Sequence, residues 1–124
     1  RMDSDIIPIF EACIDGTLAE CPLQWKDESS ICVVMAAKGY PDSYEKGKPI
    51  SGLKDANSLP GVVVFQAGTK EQDGEVLTHG GRVLGVTATG EDTATGISRA
   101  YEAVEKIEWD GIHYRKDIGH RASS

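Results

Sequence analysis

The chain predicts an α+β fold in which an antiparallel sheet carries a helix near each end of the sequence. Three observations carry that reading. β-Branched apolar runs of strand length recur through the middle of the chain, glycine-rich turns separate them, and apolar residues at spacings of three and four occur near the two ends. With 124 residues the chain has the length of a single domain built on one core.

Ser4 and Asp5 precede Ile6, Ile7, Phe10 and Ile14. That spacing places one apolar face on a helix with Ser4 as N-cap and Pro8 near the tolerant first turn, and Asp15-Gly16 ends it. Leu23 to Trp25 reads as a short strand. Ile31 to Ala37 is apolar, rich in β-branched residues and too short for a helix, so it reads as a buried strand. From Lys38 to Gly52 the glycines at 39, 47 and 52 and the prolines at 41 and 49 exclude regular structure, leaving a shaped loop. Val62 to Ala67, Val76 to Thr78 and Arg82 to Ala88 are further strands of an expected antiparallel meander, divided by Gly68, Asp73-Gly74 and Gly80-Gly81. Beyond Gly90, Ala94, Ile97, Tyr101, Val104 and Ile107 mark a second, amphipathic helix, with Glu91 and Asp92 in its first turn and Lys106 at its end, as the helix dipole favours. Trp109 to Ser124 is a polar tail.

Composition excludes several classes. Thirteen basic and 20 acidic residues leave a formal charge of −7, which disfavours a nonspecific nucleic-acid binder. The longest uncharged stretch, Ala56 to Thr69, has 14 residues and is broken by Pro60-Gly61, so no membrane span is expected. No signal peptide is seen, and the start at Arg1 without an initiator methionine is what a proteolytic or recombinant cut leaves. The three cysteines, Cys13, Cys21 and Cys32, form neither a disulfide framework nor a zinc ribbon. They read as reduced thiols of a cytoplasmic protein, with Cys13 and Cys32 in the core.

Few motifs carry chemistry. Gly39 to Lys48 is no P-loop, because seven residues separate Gly39 from Gly47 and Pro49 stands where a magnesium-binding hydroxyl belongs. No dinucleotide fingerprint follows a strand. His113, Asp117 and His120 lie among Arg115, Lys116 and Arg121, whose charge opposes a cation, so no metal site is expected. No residue is assigned a catalytic role. The informative pair is the loop Lys38-Gly39-Tyr40-Pro41 and the turn Gly80-Gly81-Arg82. Two successive glycines offer amides for an anion nest, and an arginine opening a strand offers a guanidinium fork on a rigid element. That outlines a phosphate clamp. The alternatives are an ordinary hairpin turn beside an exposed arginine, and a Lys38 that merely snorkels to solvent.

Four ordered blocks carry a family resemblance: Val33-Val34-Met35-Ala36-Ala37-Lys38-Gly39-Tyr40-Pro41 and its continuation to Gly47, Val64-Phe65-Gln66-Ala67-Gly68-Thr69, Thr78-His79-Gly80-Gly81-Arg82-Val83-Leu84, and Tyr114-Arg115-Lys116-Asp117-Ile118-Gly119. Together they resemble the C-terminal region of the phosphoribosylamine–glycine ligases (glycinamide ribonucleotide synthetases), ATP-grasp enzymes of purine biosynthesis, over essentially the whole chain. The resemblance implies a ligase that uses ATP and magnesium or manganese to join glycine to 5-phosphoribosylamine. It places the ATP and metal machinery in N-terminal and ATP-grasp regions that this chain lacks. Residues 1–20 would continue a helix from the grasp region, and 21–124 would form a partial β-barrel of the rudimentary hybrid type. On this reading Lys38, Gly39, Tyr40, Pro41, Gly80, Gly81 and Arg82 wall the acceptor-substrate pocket, the chain alone is inactive and binds no cofactor, and its cut surface favours self-association. A packing scaffold that never touches substrate stays open, whereas a carrier domain is weak because Lys38 lacks flanking methionines. Two departures stand out. Asp42 replaces a usual glycine, tolerable if the backbone there is left-handed, and Gln66 replaces a usual histidine and cannot titrate near neutrality.

Overall fold

A computed structural model describes residues 1–122, so the end of the polar tail, Ser123 and Ser124, lies outside the described residues. The elements in chain order are α1 (Ile6–Asp15), a 3-10 turn (Leu18–Glu20), β1 (Ser29–Ala37), α2 (Leu53–Asn57), β2 (Val62–Gln66), β3 (Thr69–Gln72), β4 (Glu75–Thr78), β5 (Arg82–Gly90), α3 (Thr93–Val104), β6 (Ile112–Tyr114) and a final 3-10 turn (His120–Ala122).

β1 and β5 are the two nine-residue strands, and their antiparallel register from Ser29↔Gly90 to Met35↔Leu84 forms the spine of the sheet. β2 adds to β5 and β6 to β1, giving the order β2-β5-β1-β6 with every pair antiparallel. The fold is thus α+β, but it is not the expected meander. β4 pairs with β3 in a separate hairpin, which leaves β5 free to pair with distant β1. Asp73 and Gly74, both at positive φ, make the tight turn between them. The polar β3, the five-residue α2 and the three-residue β6 carry too little apolar pattern to be read beforehand.

Strand alternation sorts the residues of the sheet. Val33, Met35, Val62, Val64, Leu84, Val86 and Ala88 are buried in the core. α3 closes over β5 and β1, and its buried Gly96, Ala100 and Ala103 allow close approach. Each large side chain so buried contributes about 1.5–3 kcal/mol. The α3 N-cap is Asp92, whose carboxylate accepts from Thr95 N–H at 2.7 Å. Asp92 and Glu91 therefore precede the first turn instead of occupying it, and Lys106 lies beyond the helix end at Val104. The tail is anchored by Tyr101, whose hydroxyl donates to the Arg115 carbonyl (2.7 Å) and accepts from Ile118 N–H (3.0 Å).

α1 behaves differently. Its N-cap is Asp5, not Ser4; the Ser4 hydroxyl instead accepts from Gln24 N–H and donates to the Pro22 carbonyl. Leu23 to Trp25 forms no strand, only a single bridge from Trp25 to Met2. Among the described residues the hydrogen bonds of residues 1–26 close within that segment, through Asp3 to Gln24 and Lys26 to Arg1. Ile6, Ile7, Phe10 and Ile14 remain exposed. The cysteine expectation fails as well. Cys32 sits on the outer side of β1 and Cys13 on the open surface of α1, so both are exposed thiols, not core residues. Among the described residues no helix is long and apolar enough to cross a membrane.

Candidate substrate-binding corner

The segment between β4 and β5 is not a hairpin turn, since the two strands belong to different sheets. It is a crossing. His79 N–H donates to the Gly68 carbonyl (2.7 Å), and Gly68 N–H donates to the Arg82 carbonyl (2.9 Å). A β-carbon on Gly68 would meet the Gly80 α-carbon at 2.6 Å, so both glycines are required for the chains to pass.

The sequence-predicted loop and corner meet through Gly81. Its carbonyl accepts from Ala37 N–H at 2.8 Å, and the Tyr40 ring lies on its α-carbon so closely that a β-carbon there would overlap the ring. Tyr40 is in turn edge-on to Tyr44, with ring centroids 6.1 Å apart. The loop turns tightly on itself: Tyr40 N–H donates to the Ala37 carbonyl and Asp42 N–H to that of Gly39. Gly39 sits at φ +96°, and a β-carbon on it would overlap the Ser43 carbonyl oxygen. The Tyr40-Pro41 bond is cis. Asp42 is not left-handed, since Asp73 is the one non-glycine residue at positive φ among those described; aspartate fits at 42 without special tolerance.

The amides of Gly80 and Gly81 donate to no group among the described residues, which leaves two successive N–H donors at the corner. Neither glycine has a left-handed φ, so the pair is not the alternating-hand nest that the sequence suggested. Arg82 is reoriented by a bulge. Met35 pairs with Leu84 but Ala36 pairs with Arg82, so β5 holds one extra residue, and Val83 and Leu84 both join the core. Arg82 consequently shares the face of Ala36 and Val34. Its guanidinium is exposed and makes no hydrogen bond or ion pair among the described residues.

Lys38 also is exposed, and its backbone N–H donates to the Gly111 carbonyl (2.8 Å). Beside it lies a cavity of about 260 Å³ lined by Lys38, Glu45, Lys48, Thr78, Trp109 and Asp110. Lys48 spans this opening, with Glu45 at 2.8 Å and Asp110 at 3.0 Å, and hydrogen bonding first to Glu45 and then to Asp110 pushes its amine above the ordinary 10.5. The Trp109 indole N–H is buried without a partner among the described residues. Nothing in the sequence signalled these residues, because Lys48 and Asp110 meet only in the fold. Gln66 pairs with Leu84 next to the corner. Of the three residues weighed for a metal, Asp117 is instead bound by Arg115 at 2.9 and 2.7 Å, which holds its carboxyl below the ordinary 3.8. Among the described residues no group of three or more metal-ligating side chains comes together.

Residues 30–121 match the family model described as "Phosphoribosylglycinamide synthetase, C domain". The phosphoribosylamine–glycine ligase of Synechocystis is 52% identical over 115 residues, covering 92% of this chain and 27% of that protein. The chloroplastic ligase of Arabidopsis thaliana is 48% identical, over 98% of this chain and 23% of its own length. A crystal structure of the ligase from Thermotoga maritima superposes with a TM-score of 0.69 at 34% identity, over 87% of this chain and 27% of that one. The chain therefore spans about a quarter of the length of these relatives. A match over most of its residues, agreeing in fold and in sequence, shows that the chain belongs to the phosphoribosylglycinamide synthetase C-domain family.

Proposed function

We propose that this chain forms the acceptor-substrate wall of a phosphoribosylamine–glycine ligase, with Arg82, Lys38 and the Gly80 and Gly81 amides holding the phosphate of 5-phosphoribosylamine. Gly39, Tyr40 and Pro41 shape the adjoining loop. In the reaction ATP phosphorylates the glycine carboxylate, and the amine of phosphoribosylamine displaces phosphate from the acyl phosphate, leaving glycinamide ribonucleotide, ADP and phosphate. ATP and its magnesium or manganese belong to the portion of the enzyme that this chain does not cover, and the chain alone has no turnover. The observation that carries the proposal is an Arg82 side chain without a partner among the described residues, directly following in sequence two amides that likewise have none there, on a corner fixed by glycine crossings.

The N-terminal segment reads as a continuation of the preceding grasp region, supported by its self-contained hydrogen bonds and by a family match that begins only at residue 30. The partial-barrel reading is supported by the bridges Pro49↔Leu77 and Ser51↔Glu108, which carry pairing from β4 toward the segment before β6. Three free thiols suit a reducing compartment such as the cytoplasm.

The test is a full-length chimera in which this chain replaces the matched region of the Synechocystis ligase, assayed for glycine-dependent ADP release. Arg82→Ala should raise the phosphoribosylamine KM by roughly tenfold to a hundredfold, the worth of one charge-assisted contact, with unfolding unchanged. A scaffold reading draws on the Tyr40 ring covering Gly81. It predicts the reverse: unaltered kinetics and a weakened fold.

A further inference from the structure

The cavity beside Lys38 collects buried hydrogen-bond donors that have nothing to donate to. Trp109 lines it and is 4% exposed, and its indole N–H has no partner among the described residues. Thr78 lines it too and is 1% exposed. Its hydroxyl oxygen accepts from Lys48 N–H at 3.0 Å, while its hydroxyl hydrogen reaches no acceptor among those residues. Buried donors of this kind normally find an acceptor, in the protein or in what it binds. The walls of the cavity are held in place. Gly47 N–H donates to the Thr78 carbonyl and Thr78 N–H to the Lys48 carbonyl, and the Lys48 amine is pinned between Glu45 and Asp110.

We propose that this cavity is a binding site for a small carboxylate, whose oxygens accept from Trp109 Nε1–H and the Thr78 hydroxyl with the Lys48 ammonium alongside. Apart from Lys38, which also lines the cavity, none of its residues belongs to the substrate wall assigned above, so the inference goes beyond that reading and stands without it. Burial selects the sign of the guest. The Lys48 side chain is 30% exposed, whereas those of Glu45 and Asp110 are 80% and 82% exposed, so water screens the two carboxylates and leaves the ammonium dominant inside. A cation would instead have to displace Lys48 from both partners. The charge count narrows the choice further. Two lysines and two carboxylates in the lining balance, which suits a guest with one negative charge better than a phosphate with more. The cavity's volume of about 260 Å³ is less than the roughly 300–1,000 Å³ of pockets for drug-sized ligands, so the acid is a short one.

The Trp109 indole proton reports occupancy directly. Nuclear magnetic resonance of the isotope-labelled 124-residue chain gives one indole N–H signal for each of its two tryptophans, and the Trp25→Phe variant assigns that of Trp109. Sodium acetate replaces sodium chloride stepwise at constant ionic strength and neutral pH. The Trp109 proton should move downfield and saturate, as an N–H does on gaining an acceptor. Acetamide, the same shape without the charge, should bind roughly tenfold or more weakly than acetate, because a charge-assisted hydrogen bond is replaced by a neutral one. Methylammonium should leave the signal in place. Thr78→Val should weaken acetate binding about tenfold, the worth of one hydrogen bond, with the backbone spectrum showing that the fold is kept. A Trp109 signal that acetate leaves unmoved, or moves only in proportion to its concentration, overturns the proposal. So does acetamide binding as tightly as acetate, which makes the cavity a void for any small polar solute, and so does a saturable shift with methylammonium, which makes it a cation site. The comparison of acetate with acetamide is made on the unmutated chain, so it decides the matter even where Thr78→Val fails to fold.

Discussion

The Tyr40 ring rests on the α-carbon of Gly81, and this contact joins two segments that lie far apart in the sequence into one corner. Gly81 is buried, and its carbonyl is held by Ala37 N–H. Gly81→Ala should therefore displace the ring and cost about 1–3 kcal/mol, the usual penalty for overpacking. Urea unfolding checks it. In a Tyr40→Ala background most of that penalty should vanish, and an equal loss in both backgrounds would remove the ring from the explanation.

Gly39 and Gly47 both sit at positive φ, but only Gly39 is crowded, by the Ser43 carbonyl; nothing approaches a β-carbon at Gly47. Alanine at either site incurs the left-handed penalty of about 1–2 kcal/mol, and Gly39→Ala adds the overlap. Thermal melts should rank Gly39→Ala below Gly47→Ala.

Asp92 caps α3, and its bond from Thr95 N–H lowers its carboxyl below the ordinary 3.8. A carboxyl with a depressed folded pKa stabilises the fold above its unfolded value, and that contribution is lost as pH falls through the folded one. Asp92→Ala should thus unfold at lower urea than the parent near neutrality. The gap between the two should shrink once pH drops below 3.8, with both curves measured by circular dichroism.

The two tryptophans report opposite environments, Trp25 being 55% exposed and Trp109 4%. In the Trp25→Phe variant the remaining emission should be blue-shifted and shielded from acrylamide. In Trp109→Phe it should be red-shifted and readily quenched. Similar quenching in both variants would mean that Trp109 is not buried in solution.

Local chemistry was legible wherever neighbours in sequence are neighbours in space. The apolar runs at Ile31 to Ala37 and Val62 to Ala67 became strands, the spacing that starts at Ala94 became a helix as far as Val104 with Ile107 buried beyond its end, and the glycine-rich stretch from Lys38 to Gly52 became a shaped loop up to α2. The family resemblance was carried by ordered residue blocks and was equally visible. Caps and short elements were less so: Asp5 displaced Ser4, whose hydroxyl is taken up by distant Gln24 and Pro22, and β3 and β6 have too few apolar residues to show a period. Tertiary structure alone decided the rest. Strand pairing depends on which distant partner satisfies the most backbone groups, so the β1–β5 spine replaced the meander. It placed Tyr40 on Gly81, let Lys48 reach Asp110, and through one extra residue in β5 turned Arg82 to the open face, because a single bulge reverses the direction of a side chain without changing any residue's identity.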